Sequence, residues 1–121
     1  MALFIDKPAT VTAAGNKPKQ IEEYFGRVRT RTQAVSIARM KSPKGWEEPA
    51  QKPAFDEYTI VVRGTLKADV GSEEFILKEG QAILIEKGEQ VKYSTPYKGG
   101  AEYIAVCIPA FSVELVNREA Q

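Results

Sequence analysis

From Glu57 to Phe111 the chain is a succession of short β-patterned segments separated by glycine. EYTIVVRG, TLKADV, EEFILK, QAILIEK, EQVKYST and AEYIAVCIPAF follow one another, with Val-Gly-Ser, Glu-Gly-Gln, Lys-Gly-Glu and Tyr-Lys-Gly-Gly between them. Segments this short cannot bury a face alone, so they must pair and curl around a common core. The pattern predicts an all-β sandwich or barrel. Upstream, GRVRTRTQAVSIARM is rich in β-branched residues with period-two alternation and is predicted as a strand. SPKGWEEPAQKP reads as a loop or an irregular edge. Pro8, Gly15 and Pro18 break the first twenty residues, and AAGNKPKQ reads as a loop. Gln20–Phe25 has room for a helical turn at most. The expected organisation is an irregular N-terminal arm, residues 1–26, packing on the barrel or on a partner subunit, followed by one barrel domain, residues 27–121.

At 121 residues the chain is long enough for one domain with a real core. It contains no histidine, which removes the usual proton-transfer group near neutral pH and the commonest metal ligand. Serine–histidine and cysteine–histidine catalysis are excluded within the chain. A formal net charge of +1 gives no drive toward nucleic acid or anionic membrane. There is no zinc-finger pattern and no phosphate-binding glycine loop. The one cysteine, Cys107, forbids an internal disulfide and fits a reducing compartment. The apolar start before Asp6 is too short for a signal peptide, and the longest apolar run, near Tyr103–Phe111, is too short to span a membrane. A cytoplasmic protein is the expectation.

Within EYTIVVRG, alternation puts Glu57, Thr59, Val61 and Arg63 on one face and Tyr58, Ile60 and Val62 on the other. Both faces carry apolar groups. If one lines a barrel interior, the N-terminal segment or a second subunit must cover the other, which predicts a homodimer.

The stretch from Gly45 to Gly64 resembles the first motif of the cupin superfamily: Gly, five residues, His, one, His, three or four, Glu, six, Gly. Here Gly45, Gln51, Pro53, Glu57 and Gly64 stand at those positions, with both histidines replaced. The second motif, Gly, five residues, Pro, one, Gly, two, His, three, Asn, is matched in spacing by Gly80, Glu86, Gly88, Val91 and Thr95. The likeness covers roughly residues 33–110. It implies a jelly-roll β-barrel with a central pocket, which in the family usually holds a transition metal. Carried over residue by residue, the ligand positions are Gln51, Pro53, Glu57 and Val91. Proline and valine side chains have no donor atom, so the resemblance implies a site without the usual metal and no other cofactor.

In such a barrel Glu57 points inward, and Thr59 and Tyr93 face the same way, while Gln51 enters from the loop edge. Desolvation raises the pKa of a pocket carboxyl and suits it to acid–base work, with Tyr93 as proton partner or as ligand to a substrate oxygen. Arg39, if inward, pairs with Glu57 or an anionic ligand. Trp46, at the mouth, is placed to stack on a ring or sugar. Arg27, Arg29 and Arg31 share a face if their segment is a strand, with Lys17 and Lys19 upstream, and suit either an anionic substrate or solvent. Cys107 is expected to be inert packing. Three functions follow: an isomerase, lyase or cyclase using Glu57 and Tyr93, a non-catalytic module binding a small polar ligand, or an enzyme with an altered metal site. FDEYTIVVRGTL also resembles the ethanolamine-utilisation cupins, which lack the histidine set as well.

Overall fold

A computed structural model describes residues 1–118. In chain order the elements are β1 (Ala9–Val11), β2 (Gln20–Phe25), β3 (Ser36–Ser42), β4 (Trp46–Glu47), β5 (Asp56–Val70), β6 (Glu73–Lys78), β7 (Ala82–Ile85), β8 (Val91–Thr95), β9 (Ala101–Ile108) and the single turn of helix α1 (Val113–Val116).

The 15-residue β5 organises the barrel. Its first half pairs with β9 on one side and β7 on the other, and its second half pairs with β6 and β8. One sheet therefore runs β1-β2-β3-β9-β5-β7 and the other β6-β5-β8-β4, all antiparallel. One strand shared by two sheets makes them curl over each other into a jelly roll.

Gly64, which closes the EYTIVVRG segment, does not end the strand. Instead β5 bulges between Val61 and Arg63 against β9, with Val62 as the extra residue. A bulge reverses the alternation. Glu57, Thr59 and Val61 point inward before it, and Leu66 and Ala68 after it. Arg63 consequently leaves the face the sequence pattern gave it and lies outside, 3.8 Å from Glu102. At the same corner a Cβ on Gly64 would strike the Gly100 carbonyl oxygen, and one on Gly100 the Ser42 carbonyl oxygen. Both residues have positive φ, 78° and 62°. Only glycine lets β5, β9 and the end of β3 approach so closely.

The first 26 residues are not irregular throughout. β1 and β2 extend the first sheet, and Gln20–Phe25 is a strand rather than a helical turn. Ile21 and Glu23 face inward from β2. A carboxylate in the second inward slot broke the apolar alternation by which the strand is recognised. That carboxylate also explains why Arg27–Thr30 is a turn instead of a strand. Glu23 Oε2 accepts hydrogen bonds from the Val28 and Arg29 amides, at 2.9 and 2.8 Å. The Gly26 carbonyl accepts from the Thr30 and Thr32 amides. Arg27, Arg29 and Arg31 therefore share no face: Arg27 donates to the Ala110 carbonyl and Arg29 to that of Lys7.

Trp46, Val61, Leu66, Leu77, Ile85, Val91, Tyr93 and Tyr103 form the main core. A smaller cluster of Phe55, Cys107 and Val116 closes the other end, with Phe111 and Leu115 against it. Outside, Tyr58, Ile60, Val62, Leu84 and Ile108 remain exposed on adjacent strands of the first sheet. Among the described residues no helix is long and apolar enough to cross a membrane.

Candidate functional site

Between the two apolar clusters the barrel keeps a cavity with polar groups set in a mainly apolar lining. β5 supplies Glu57 and Thr59, β8 supplies Tyr93, and β9 supplies Cys107. Glu57 and Cys107 are directly paired across the ladder, which brings thiol and carboxylate together. The Tyr93 hydroxyl donates to Glu57 Oε1 at 2.7 Å, and the Cys107 thiol lies 3.6 Å from Glu57 Oε2. Thr59 hydrogen-bonds to the Tyr93 side chain. Burial, reinforced by the Glu57 charge, pushes both the Tyr93 hydroxyl and the Cys107 thiol well above their ordinary values. Both keep their protons at neutral pH and act as donors, so Cys107 has no thiolate character.

The segment after β4 runs beside β8. The Glu48 amide donates to the Tyr93 carbonyl, and Gln51 and Val91 exchange two backbone hydrogen bonds of 2.9 Å each. Gln51 also bridges Arg118. This ladder turns Glu48 and Gln51 inward beside Tyr93. Glu48 is 6% exposed and Gln51 4%. Glu48 Oε1, Gln51 Oε1 and Arg118 Nε are buried with no hydrogen-bond partner among the described residues, and all three residues line the cavity. Burial pushes the Glu48 carboxyl up to about 7. The Glu57 charge adds to that, while Lys19 and Arg118 pull the other way.

The site predicted from sequence thus assembles in part. Glu57, Tyr93, Thr59 and Gln51 meet in one cavity. Arg39 does not join them. Its neighbours Ala38 and Met40 line the cavity, so Arg39 itself faces outward, 3.0 Å from Glu22 and 3.9 Å from Glu102. Trp46 does not stand at the mouth either. It is 1% exposed in the main core, its Nε1 donates to the Ala14 carbonyl at 3.1 Å, and Lys19 Nζ sits 4.1 Å above its ring. An indole so enclosed has no free face for a ligand.

Glu48 is the group that reading the sequence missed. It lay in a stretch read as loop, where acids are normally solvated. The available signal was parity: in an extended segment Glu48 shares a face with Trp46 two residues before it, and Trp46 belongs inside.

The ligand positions carried over from the cupin motif do not fit a transition metal. Pro53 and Val91 offer no donor atom, which leaves Gln51 and Glu57 of the four carried-over positions. Among the described residues no three His, Cys, Asp or Glu side chains converge as metal ligands.

Residues 38–107 match the family model described as Cupin domain. The chain belongs to the cupin family. This cupin is 42% identical over 101 residues to a Myxococcus xanthus (strain DK1622) protein named Endoribonuclease YbeY, covering 84% of this chain and 34% of that one. The cupin thus spans about a third of the length of the curated relative it matches. Among solved structures, a predicted oxalate decarboxylase of Thermotoga maritima superposes with a TM-score of 0.74 at 18% identity, over 88% of this chain and 99% of that one. A putative ethanolamine utilization protein Q of Salmonella typhimurium gives 0.67 at 17%, over 87% and 98%. The polyketide cyclase RemF of Streptomyces resistomycificus gives 0.75 at 14%, over 100% and 87%. At these identities the structural likeness carries the fold.

Proposed function

We propose that this cupin takes a small polar molecule into its barrel and acts on it by general acid–base chemistry, as an isomerase, lyase or cyclase does, without the family's usual transition metal. The observation that carries the reading is the three unpartnered buried atoms in the cavity that also holds the Glu57–Tyr93 pair. Leaving three such atoms without hydrogen bonds would cost about 1–3 kcal/mol each, so they call for a partner inside the cavity. Glu57 is the pocket base, positioned by Tyr93 and Cys107. Tyr93 is the fixed proton donor. Glu48 titrates near neutral pH, so it can take or release a proton within the working range. A polyketide cyclase on this fold is consistent with such chemistry. The endoribonuclease name belongs to a protein of which about a third is matched, and this chain's net charge of +1 lends that activity no support.

A fragment set screened in deuterated water tests the reading. Fragments are expected to shift the resonances of Thr59 and Tyr93, and some to exchange carbon-bound hydrogens. Glu57→Gln is expected to keep the binding and lose the exchange. Binding without exchange in either protein would turn the reading into the non-catalytic module. No binding in the cavity would end both.

What supports a homodimer is the outer face of the first sheet. There Leu84, Tyr58 and Val106 stand side by side across β7, β5 and β9, with Ala82, Ile60 and Ile104 in the next parallel row. A second copy of the chain covers that face in the proposed assembly.

A further inference from the structure

The unpartnered atoms differ in kind, and their kinds describe what they await. Gln51 Oε1 accepts hydrogen bonds, and Glu48 Oε1 accepts one whenever the carboxyl is ionised. Arg118 Nε only donates. The cations that line the cavity are Lys19 and Arg118, and both act electrostatically on Glu48. Lys19 is held over the Trp46 and Tyr103 rings, and the Arg118 guanidinium lies 5.8 Å from the Phe111 ring. The lining therefore offers fixed positive charge with a free N–H and, beside it, two free acceptors.

The interior space is about 50 Å3, room for roughly three to five waters. Glu23, the third acid of the lining, is already used by the Val28 and Arg29 amides. A ligand that satisfies this lining needs an anionic acceptor group and, one or two bonds away, a hydrogen-bond donor.

We infer that the cavity binds a two- or three-carbon 2-hydroxy or 2-amino carboxylate, its carboxylate on Arg118 and Lys19 and its hydroxyl or amino group on Glu48 and Gln51. A ligand held so shares the cavity with Glu57 and Tyr93. The reacting centre rests on the acid–base reading above. The ligand class rests on the unpartnered atoms and the size of the cavity.

Calorimetric titration of the full chain with glycolate, lactate, propionate, lactamide and propane-1,2-diol tests the class. Glycolate or lactate is expected to bind at least about tenfold more tightly than propionate, which lacks the donor, and lactamide, which lacks the charge. Arg118→Met is expected to cost lactate about tenfold and to leave the diol within about twofold. Thermal melting confirms that the variant folds, and Arg118→Lys, which keeps the charge, is expected to retain the preference for lactate. Equal binding of lactate and propionate, or an unchanged preference in Arg118→Met, would overturn the inference, as would no binding of lactate or glycolate. If the diol alone binds and shifts the Thr59 and Tyr93 resonances, the carboxylate class falls while the acid–base cavity stands. If no probe or fragment enters the cavity, both fall.

Discussion

Replacing Glu48 by Gln tests the electrostatics of the cavity directly. The change keeps the shape of the side chain and removes its ionisation. In the folded protein the Glu48 carboxyl titrates near 7, against 4.5 for an exposed glutamate. Each pH unit of that difference corresponds to about 1.4 kcal/mol, so ionised Glu48 costs the fold about 3 kcal/mol. The sign follows from the proton count. Between pH 4.5 and about 7 the folded state holds a proton that the unfolded state has released. Wild-type stability attributable to this group is therefore complete below pH 4.5, falls as pH rises through the window, and is lost above 7. Glu48→Gln carries no such term. Urea denaturation of both proteins from pH 4 to pH 9 should show near-equal stability at the acid end and a variant more stable by about 3 kcal/mol at the alkaline end. That is a large part of the ~5–15 kcal/mol expected of a domain this size. A difference that does not change with pH would refute the argument, because it would mean that Glu48 ionises in the fold as easily as in solvent.

Tyr93→Phe leaves Glu57 Oε1 without its 2.7 Å donor and should cost about 1–3 kcal/mol by chemical denaturation. Combined with Glu57→Gln, the two losses should be non-additive in a double-mutant cycle. Gly100→Ala drives a methyl into the Ser42 carbonyl at a positive φ and should lower the melting temperature sharply, with circular dichroism as the readout. In sedimentation the wild-type chain should run as a dimer, and Ile60→Glu, on the outer face, should run as a monomer with its melting temperature little changed. A wild-type monomer would remove the proposed assembly.

Much of the barrel was legible because its strands obey period two and its turns carry glycine. β6 to β9 and the first half of β5 lie where alternation and punctuation put them. What escaped were places where one residue broke the pattern for a tertiary reason. Val62, the bulged residue, moved Arg63 outside and let β5 run through Gly64. Glu23, buried to serve two amides, disguised β2 as a polar turn and made a turn of the arginine segment. In the site, the positions fixed by motif spacing, Glu57 and Gln51, and those fixed by strand parity, Thr59 and Tyr93, came together. Arg39 and Trp46 did not, since each was placed without a known register. Glu48 and Arg118 sit in segments ordered only by pairing with distant chain, and no local pattern announces that.

β5 shows its two faces to two different worlds. Glu57 and Thr59 look into the cavity, and Tyr58 and Ile60, their immediate chain neighbours, look out from the sheet. Whatever settles on the outside presses on a backbone whose next residue holds the pocket carboxylate, one Cα–Cα step of about 3.8 Å away. The wall of the cavity is one peptide thick.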